Sequence, residues 1–215
     1  MRTPLQNRVD PFGEIHSVPA RGTVMGNRGG CLHDNQRQLG RRRWASKRWI
    51  ACRLAFKGRH RTVMTPGRYT ELFFLDEATA LAAGHRPCFE CRRQDANAFA
   101  DAWARAFELV GPPRADAIDI HLHAERMVSQ GNTEPARRIN PADLPNYAMI
   151  AQQTADGDQA AWLVLDGTLR RWTFEGYGEV LPMANVGETE LITAASLVAV
   201  LAAGYPTGVH RSAAP

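Results

Sequence analysis

Long apolar runs are missing from this chain. No stretch approaches the roughly 20 consecutive apolar residues that a membrane span needs, and Met1 to Gly30 lacks an apolar core followed by a small-residue cleavage site. A cytoplasmic protein with no membrane partner is therefore expected. Cysteine is scarce, with four in 215 residues. In a reducing compartment these are thiols or metal ligands rather than disulfides. Also missing are a Walker loop, a dinucleotide fingerprint and a serine-nucleophile elbow, which removes the commonest nucleotide-hydrolase, dehydrogenase and esterase readings.

Acidic residues are absent from one long segment. Between Asn35 and Thr70 there is no Asp or Glu, while Arg37, Arg41, Arg42, Arg43, Lys47, Arg48, Arg53, Lys57, Arg59, Arg61 and Arg68 are all cationic. Such a segment repels itself unless a polyanion screens it, so nucleic acid, with DNA foremost, is the expected partner. Phosphate contacts are assigned to Arg41, Arg42, Arg43, Lys47, Arg48, Lys57, Arg59 and Arg61. Trp44, Trp49, Phe56 and Tyr69 are interleaved with them and have the flat faces that stack on bases. The plainer alternative is a solvated basic face with its aromatics in the core, or one that meets an acidic protein. The overall charge of +4 is a weaker indication than this distribution.

What is present is enough for a globular fold. A hydrophobic fraction of 44% and a charged fraction of 22% are ordinary, and 215 residues can bury a real core. The expected class is α+β. Residues 1–34, rich in Gly, Pro and Asn, read as an arm of turns. Residues 35–110 read as a basic, metal-binding module. In it, alternation around Ile50, Cys52 and Leu54 predicts a strand that turns at Lys57-Gly58 and returns through Val63. Leu72 to Leu75 predicts a short buried strand, Asp76 an N-cap, Glu77 to Ala83 a helix and Gly84 its end. A longer helix is expected from Arg93 to Leu109, carrying Phe99, Trp103 and Phe107 on one face.

Residues 111–215 form the remaining α+β region, with helix over Ala115 to Val128 and a polar loop from Ser129 to Asn140. A hairpin is expected around Asp166-Gly167, and a last helix, capped by Thr193, over Ala194 to Ala203. Leu81-Ala82-Ala83-Gly84 recurs as Leu201-Ala202-Ala203-Gly204, which is either a degenerate repeat of the module or a shared way of ending a helix.

Cys88 and Cys91 carry the chemistry. A Cys-x-x-Cys turn sets two thiolates on one side of a tight loop, with amides free to hydrogen-bond the sulfurs, as tetrahedral zinc requires. Cys52 is the best third ligand and Cys31 a weaker fourth, with His33, His60, His85 and His123 as other donors. A redox pair is the competing reading, but such pairs open a helix directly after a strand, whereas here a helix and Arg86-Pro87 come first. An inert pair of thiols is the remaining one. In the Gly-rich arm, Glu14, His16, Arg21, Asn27, Arg28, His33 and Asp34 offer acid, base and phosphate-binding groups. They equally suit hydrogen bonding within a loop.

The run from Phe73 through Asp76, Gly84-His85-Arg86-Pro87 and Cys88-Phe89-Glu90-Cys91 to Arg92 resembles the second half of the zinc-binding domain of the Ada family of DNA alkylation-repair proteins, over about a tenth of the chain. The resemblance implies zinc ligation by Cys88 and Cys91 on a small DNA-binding domain. The family's other two cysteines lie close together just upstream, one of them a methyl acceptor. This chain has a lone Cys52 there, so a different fourth ligand is needed and methyl transfer is not carried over. Pro87-Cys88-Phe89-Glu90-Cys91 also resembles the zinc half of nucleobase deaminases, and His123-Ala124-Glu125 their other half in reversed order. That resemblance implies Glu125 as catalytic acid and base.

Overall fold

In the computed structural model, which describes residues 3–58, 62–130, 138–154 and 156–214, helices and two six-stranded sheets form an α+β fold. The first sheet is built from β1 (Gln6–Val9), β2 (Ile15–Ser17), β3 (Val24–Asn27), β4 (Ile50–Cys52) and β5 (Leu72–Phe74), followed after helix α1 (Glu77–Ala82) by β6 (Arg86–Pro87). Its strand order is β2-β1-β5-β3-β4-β6, with β1/β5 and β4/β6 parallel. The expected arm is thus half of this sheet: three strands lie within Gln6 to Asn27. Composition hides them because Gly26 is a strand residue. An added Cβ there would lie 2.4 Å from the Ile50 carbonyl oxygen and 2.8 Å from the Phe74 ring, so neighbouring strands close in where no side chain stands. Of the expected return strand, Thr62 and Val63 are not in a strand, and positions 59–61 lie outside the described residues.

Two long helices follow, α2 (Arg93–Ala106) and α3 (Ala115–Gln130). The second sheet then comprises β7 (Arg138–Ile139), β8 (Met149–Gln153), β9 (Gln159–Leu165), β10 (Thr168–Thr173), β11 (Gly176–Pro182) and β12 (Thr189–Leu191), and helix α4 (Ala195–Ala202) precedes the C-terminal segment. All its pairings are antiparallel. The β9–β10 hairpin turns at Asp166 (φ 47°) and Gly167 (φ 73°), the pair of positive φ values that matches strand twist.

Alternation gives β8 and β9 two apolar faces. Ile150, Trp162 and Val164 pack with Phe99, Ile118, Leu122 and Leu197 from α2, α3 and α4. Met149, Ala161 and Leu163 pack with Ala78 and Ala82 of α1. Helix α1 in turn places Ala80 and Ala83 against Val9, Ala51, Leu72 and Phe74 of the first sheet. Alanine, having only a methyl group, lets two sheets approach one helix, and all of α1 is buried. The helix endings at Gly84 and Gly204 match, each with positive φ and paired amide returns to the preceding turn. The sheets beside them differ in topology.

Candidate metal site and pocket

Because α1 covers one face of the first sheet, the other face is free to line a pocket. Side chains two apart point the same way, and Met25 and Asn27 of β3, Ile50 and Cys52 of β4, and Glu71 and Phe73 at β5 line one pocket of about 410 Å³. Cys88 and Cys91 complete its floor. They arrive there because β6 pairs with β4 and the Cys88 amide donates to the Ala51 carbonyl at 3.0 Å. The parallel strand delivers the Cys-x-x-Cys turn beside Cys52.

The three sulfurs lie within 4.8 Å of one another and all three residues are buried. A tetrahedral zinc–thiolate site has sulfurs about 3.8 Å apart, given Zn–S bonds near 2.3 Å. The donor set therefore fits a thiophilic divalent ion, and this group could hold a metal. Its surroundings prepare for negative charge. The Glu90 amide donates to Cys88 Sγ and the Arg53 amide to Cys91 Sγ, both at 3.4 Å. Hydrogen bonding from the Cys52 thiol pulls the Cys88 and Cys91 thiols below their ordinary range, and the same bonds push Cys52 up. Thiolates are thus favoured at Cys88 and Cys91, while Cys52 keeps its proton as their donor.

The other expected ligands lie elsewhere. Cys31 is exposed, donates to the His33 carbonyl at 3.1 Å and stands outside the sulfur group. Its Gly-rich turn is tied to Thr70 rather than to β4. His33 is buried and bonded to Thr70 Oγ1 at 2.6 Å, and His85 is wholly buried with Nδ1 on the Ala83 carbonyl. His123 packs edge-on against Trp44. His60 lies outside the described residues. Among the described residues the group contains no fourth His, Cys, Asp or Glu.

Glu125 is not at this pocket. Its carboxylate accepts from the Ser196 amide at 3.0 Å and from the Ser196 hydroxyl, which satisfies the first turn of α4 from outside. Helix α3 therefore supplies the cap expected of Thr193, whose Oγ1 instead accepts from the Met149 amide. Neither His123 nor Glu125 lines this pocket, and among the described residues its carboxylates are those of Glu71 and Glu90. Glu71 is held by the Met64 amide at 2.8 Å.

Arg41, Arg42, Arg43, Lys47 and Arg48 are exposed on the connection between β3 and β4, and Lys57 is exposed beyond Cys52. Arg48 makes a loose, exposed contact of 3.4 Å with Asp116. Arg59 and Arg61 lie outside the described residues. Arg53 lines the pocket, and Lys57 Nζ stands 5.2 Å from the ring of Phe56, another lining residue. Trp49 is not available for stacking. It is 3% exposed, and the Arg28 and Arg126 guanidiniums lie 3.9 and 4.4 Å from its ring. Phe56 and Tyr69 do line the pocket, joined by Phe73. Sequence reasoning missed Met25, Glu71 and Phe73, although the alternation through Glu71-Leu72-Phe73-Phe74 marks two faces.

Among the described residues no helix is long and apolar enough to cross a membrane. No family model, no curated protein and no solved structure matches this chain.

Proposed function

We propose that the protein binds zinc through Cys52, Cys88 and Cys91 and binds nucleic acid, DNA foremost, as part of its repair, modification or processing. The observation that carries this reading is the meeting of three sulfurs at the floor of a pocket walled by aromatic rings and bordered by cations. Zinc bound there would pin the Cys-x-x-Cys turn to β4 and supply a Lewis acid at the pocket floor. Phe56, Tyr69 and Phe73 offer flat faces to an unpaired base. Arg53 and Lys57 at the pocket, with Arg41, Arg42, Arg43, Lys47 and Arg48 on the neighbouring connection, supply charge for phosphates.

Counted among the described residues, three sulfur ligands favour a catalytic role over a purely structural one. A closed structural site takes four protein ligands, whereas three leave a position for water or substrate. In a hydrolytic reaction the acid and base roles fall to Glu71 or Glu90, the carboxylates at the pocket. Glu125 is committed to α4.

Binding to labelled single-stranded DNA and to RNA of the same sequence, across a salt series, tests the nucleic-acid part. Each neutralised phosphate releases counterions, so the triple variant Arg41→Ala, Arg42→Ala, Arg43→Ala should make the plot of log affinity against log salt shallower by about 2. An unchanged slope, or no binding to either strand, would favour an acidic protein as the partner of this segment.

A further inference from the structure

The sulfur pocket has a neighbour. A second pocket of about 350 Å³ lies on the far side of Phe73 and Val63, which line both, and its other lining residues include Asn7, Arg8 and Arg21. The strand register places the two in a row. Arg8 of β1 pairs with Phe73 of β5, Phe73 with Met25 of β3, and Met25 with Cys52 of β4. Cross-strand partners project to one face. Guanidinium, ring, thioether and thiol thus cross the sheet over three strand spacings, about 14 Å.

The second pocket is lined by two guanidiniums. Arg8 and Arg21 stand close enough that Arg21, after burial, lowers the affinity of Arg8 for its own proton. Arg8 is held in place: its Nε donates to the Ala20 carbonyl, one Nη to Asn7 Oδ1, and its guanidinium lies 4.8 Å from the Phe73 ring. That bond to Oδ1 orients the Asn7 amide. Asn7 is 0% exposed, and among the described residues its Nδ2 has no hydrogen-bond partner, a costly arrangement unless a ligand accepts from it. The backbone has been bent to produce this. The β1–β2 register shifts between Gln6 and Arg8, so Asn7 occupies a bulge that can turn its side chain toward the same face as Arg8.

We infer that Asn7, Arg8 and Arg21 form a phosphate subsite and that the two pockets together take one nucleotide, its phosphate at this subsite and its base across Phe73 toward the sulfurs. The choice of a phosphate ester rests on the nucleic-acid reading above, and the nucleotide is either free or part of a strand. Asn7 Nδ2 donates to a phosphate oxygen, and the two guanidiniums balance its charge.

The zinc-loaded full chain should bind a fluorescent deoxynucleoside monophosphate saturably, inorganic phosphate should compete, and the unphosphorylated nucleoside should bind at least tenfold more weakly. Arg21→Glu, at an exposed position, should weaken monophosphate binding at least tenfold at unchanged zinc content and melting temperature. Asn7→Asp, which exchanges the donor for a second acceptor, should do the same. Pentanucleotides with and without a 5′-phosphate separate the sources: a preference for the phosphorylated end places a strand terminus at the subsite, and equal binding of both, each weakened by Arg21→Glu, places an internal phosphate there. No saturable monophosphate binding, or equal affinity in wild type and both variants, overturns the subsite. That result leaves the salt dependence carried by Arg41 to Arg43 intact if the nucleic-acid reading holds, so the two failures are distinguishable.

Discussion

Trp49 rests against two buried guanidiniums, and His85 beside it gives the protein one built-in response to acid. Burial, and then the charge of Arg126, lowers Arg28 to about 9, and burial lowers Arg126 to about 10. His85, whose ring centroid is 5.1 Å from that of Trp49, is 0% exposed and meets both charges. Burial and the two arginines hold its pKa well below 6.5. Below pH 6.5 the unfolded chain therefore takes up a proton that the folded chain refuses. Stability from this group is full above that pH and is lost as pH falls, by up to about 1.4 kcal/mol per pH unit. Urea unfolding at pH 7.5, 6 and 5 should show this slope, and His85→Gln should flatten it; parallel curves for the two proteins would refute the assignment.

At the scale of elements, helix and strand boundaries were legible where local chemistry decides them. Asp76 caps α1 through the Thr79 amide at 2.8 Å, Gly84 ends it, and Asp166-Gly167 turns the hairpin. Cys52 was legible as the third sulfur because it shares a strand face with Ile50 and Leu54, both of which line the pocket. What could not be read depended on neighbours distant in sequence. Gly26 reads as a turn residue until β4 and β5 close on it. Trp49 reads as a stacking platform until Arg28 and Arg126 cover it. Glu125 reads as a catalytic carboxylate next to His123, yet Ser196 takes both its oxygens. Glu125→Ala should cost about 1 kcal/mol, the usual loss of a helix cap, with zinc content and nucleic-acid affinity unchanged. Calorimetry with metal analysis checks both, and a loss of function at intact stability would restore a chemical role.

Across the whole molecule, α1 joins the sheets by packing and its first residues join them by charge. Asp76 Oδ2 accepts from the Tyr177 hydroxyl and the His210 amide, both at 2.8 Å. Glu77 accepts from Tyr205 and Arg92 at 2.7 Å and from the Gly208 amide at 3.1 Å. The C-terminal segment is thus fastened to the helix that backs the first sheet, and Arg86–Asp119, a buried two-bond pair, fastens α3 to β6 next to Cys88. Removing one partner of a buried ion pair costs about 3–5 kcal/mol. Glu77→Ala should therefore lower the stability of both sheets in a single transition; two separate transitions in wild type would show that the halves are independent. A metal held by the three sulfurs should couple to the same unit, because they come from β4 and from the turn after β6. The most direct test is metal analysis of protein purified without added metal, beside Cys52→Ser and Cys88→Ser. The account predicts one zinc per chain in wild type, lost from both variants, with the melting temperature falling on chelation; wild-type protein without stoichiometric metal, or variants that keep it, would contradict it.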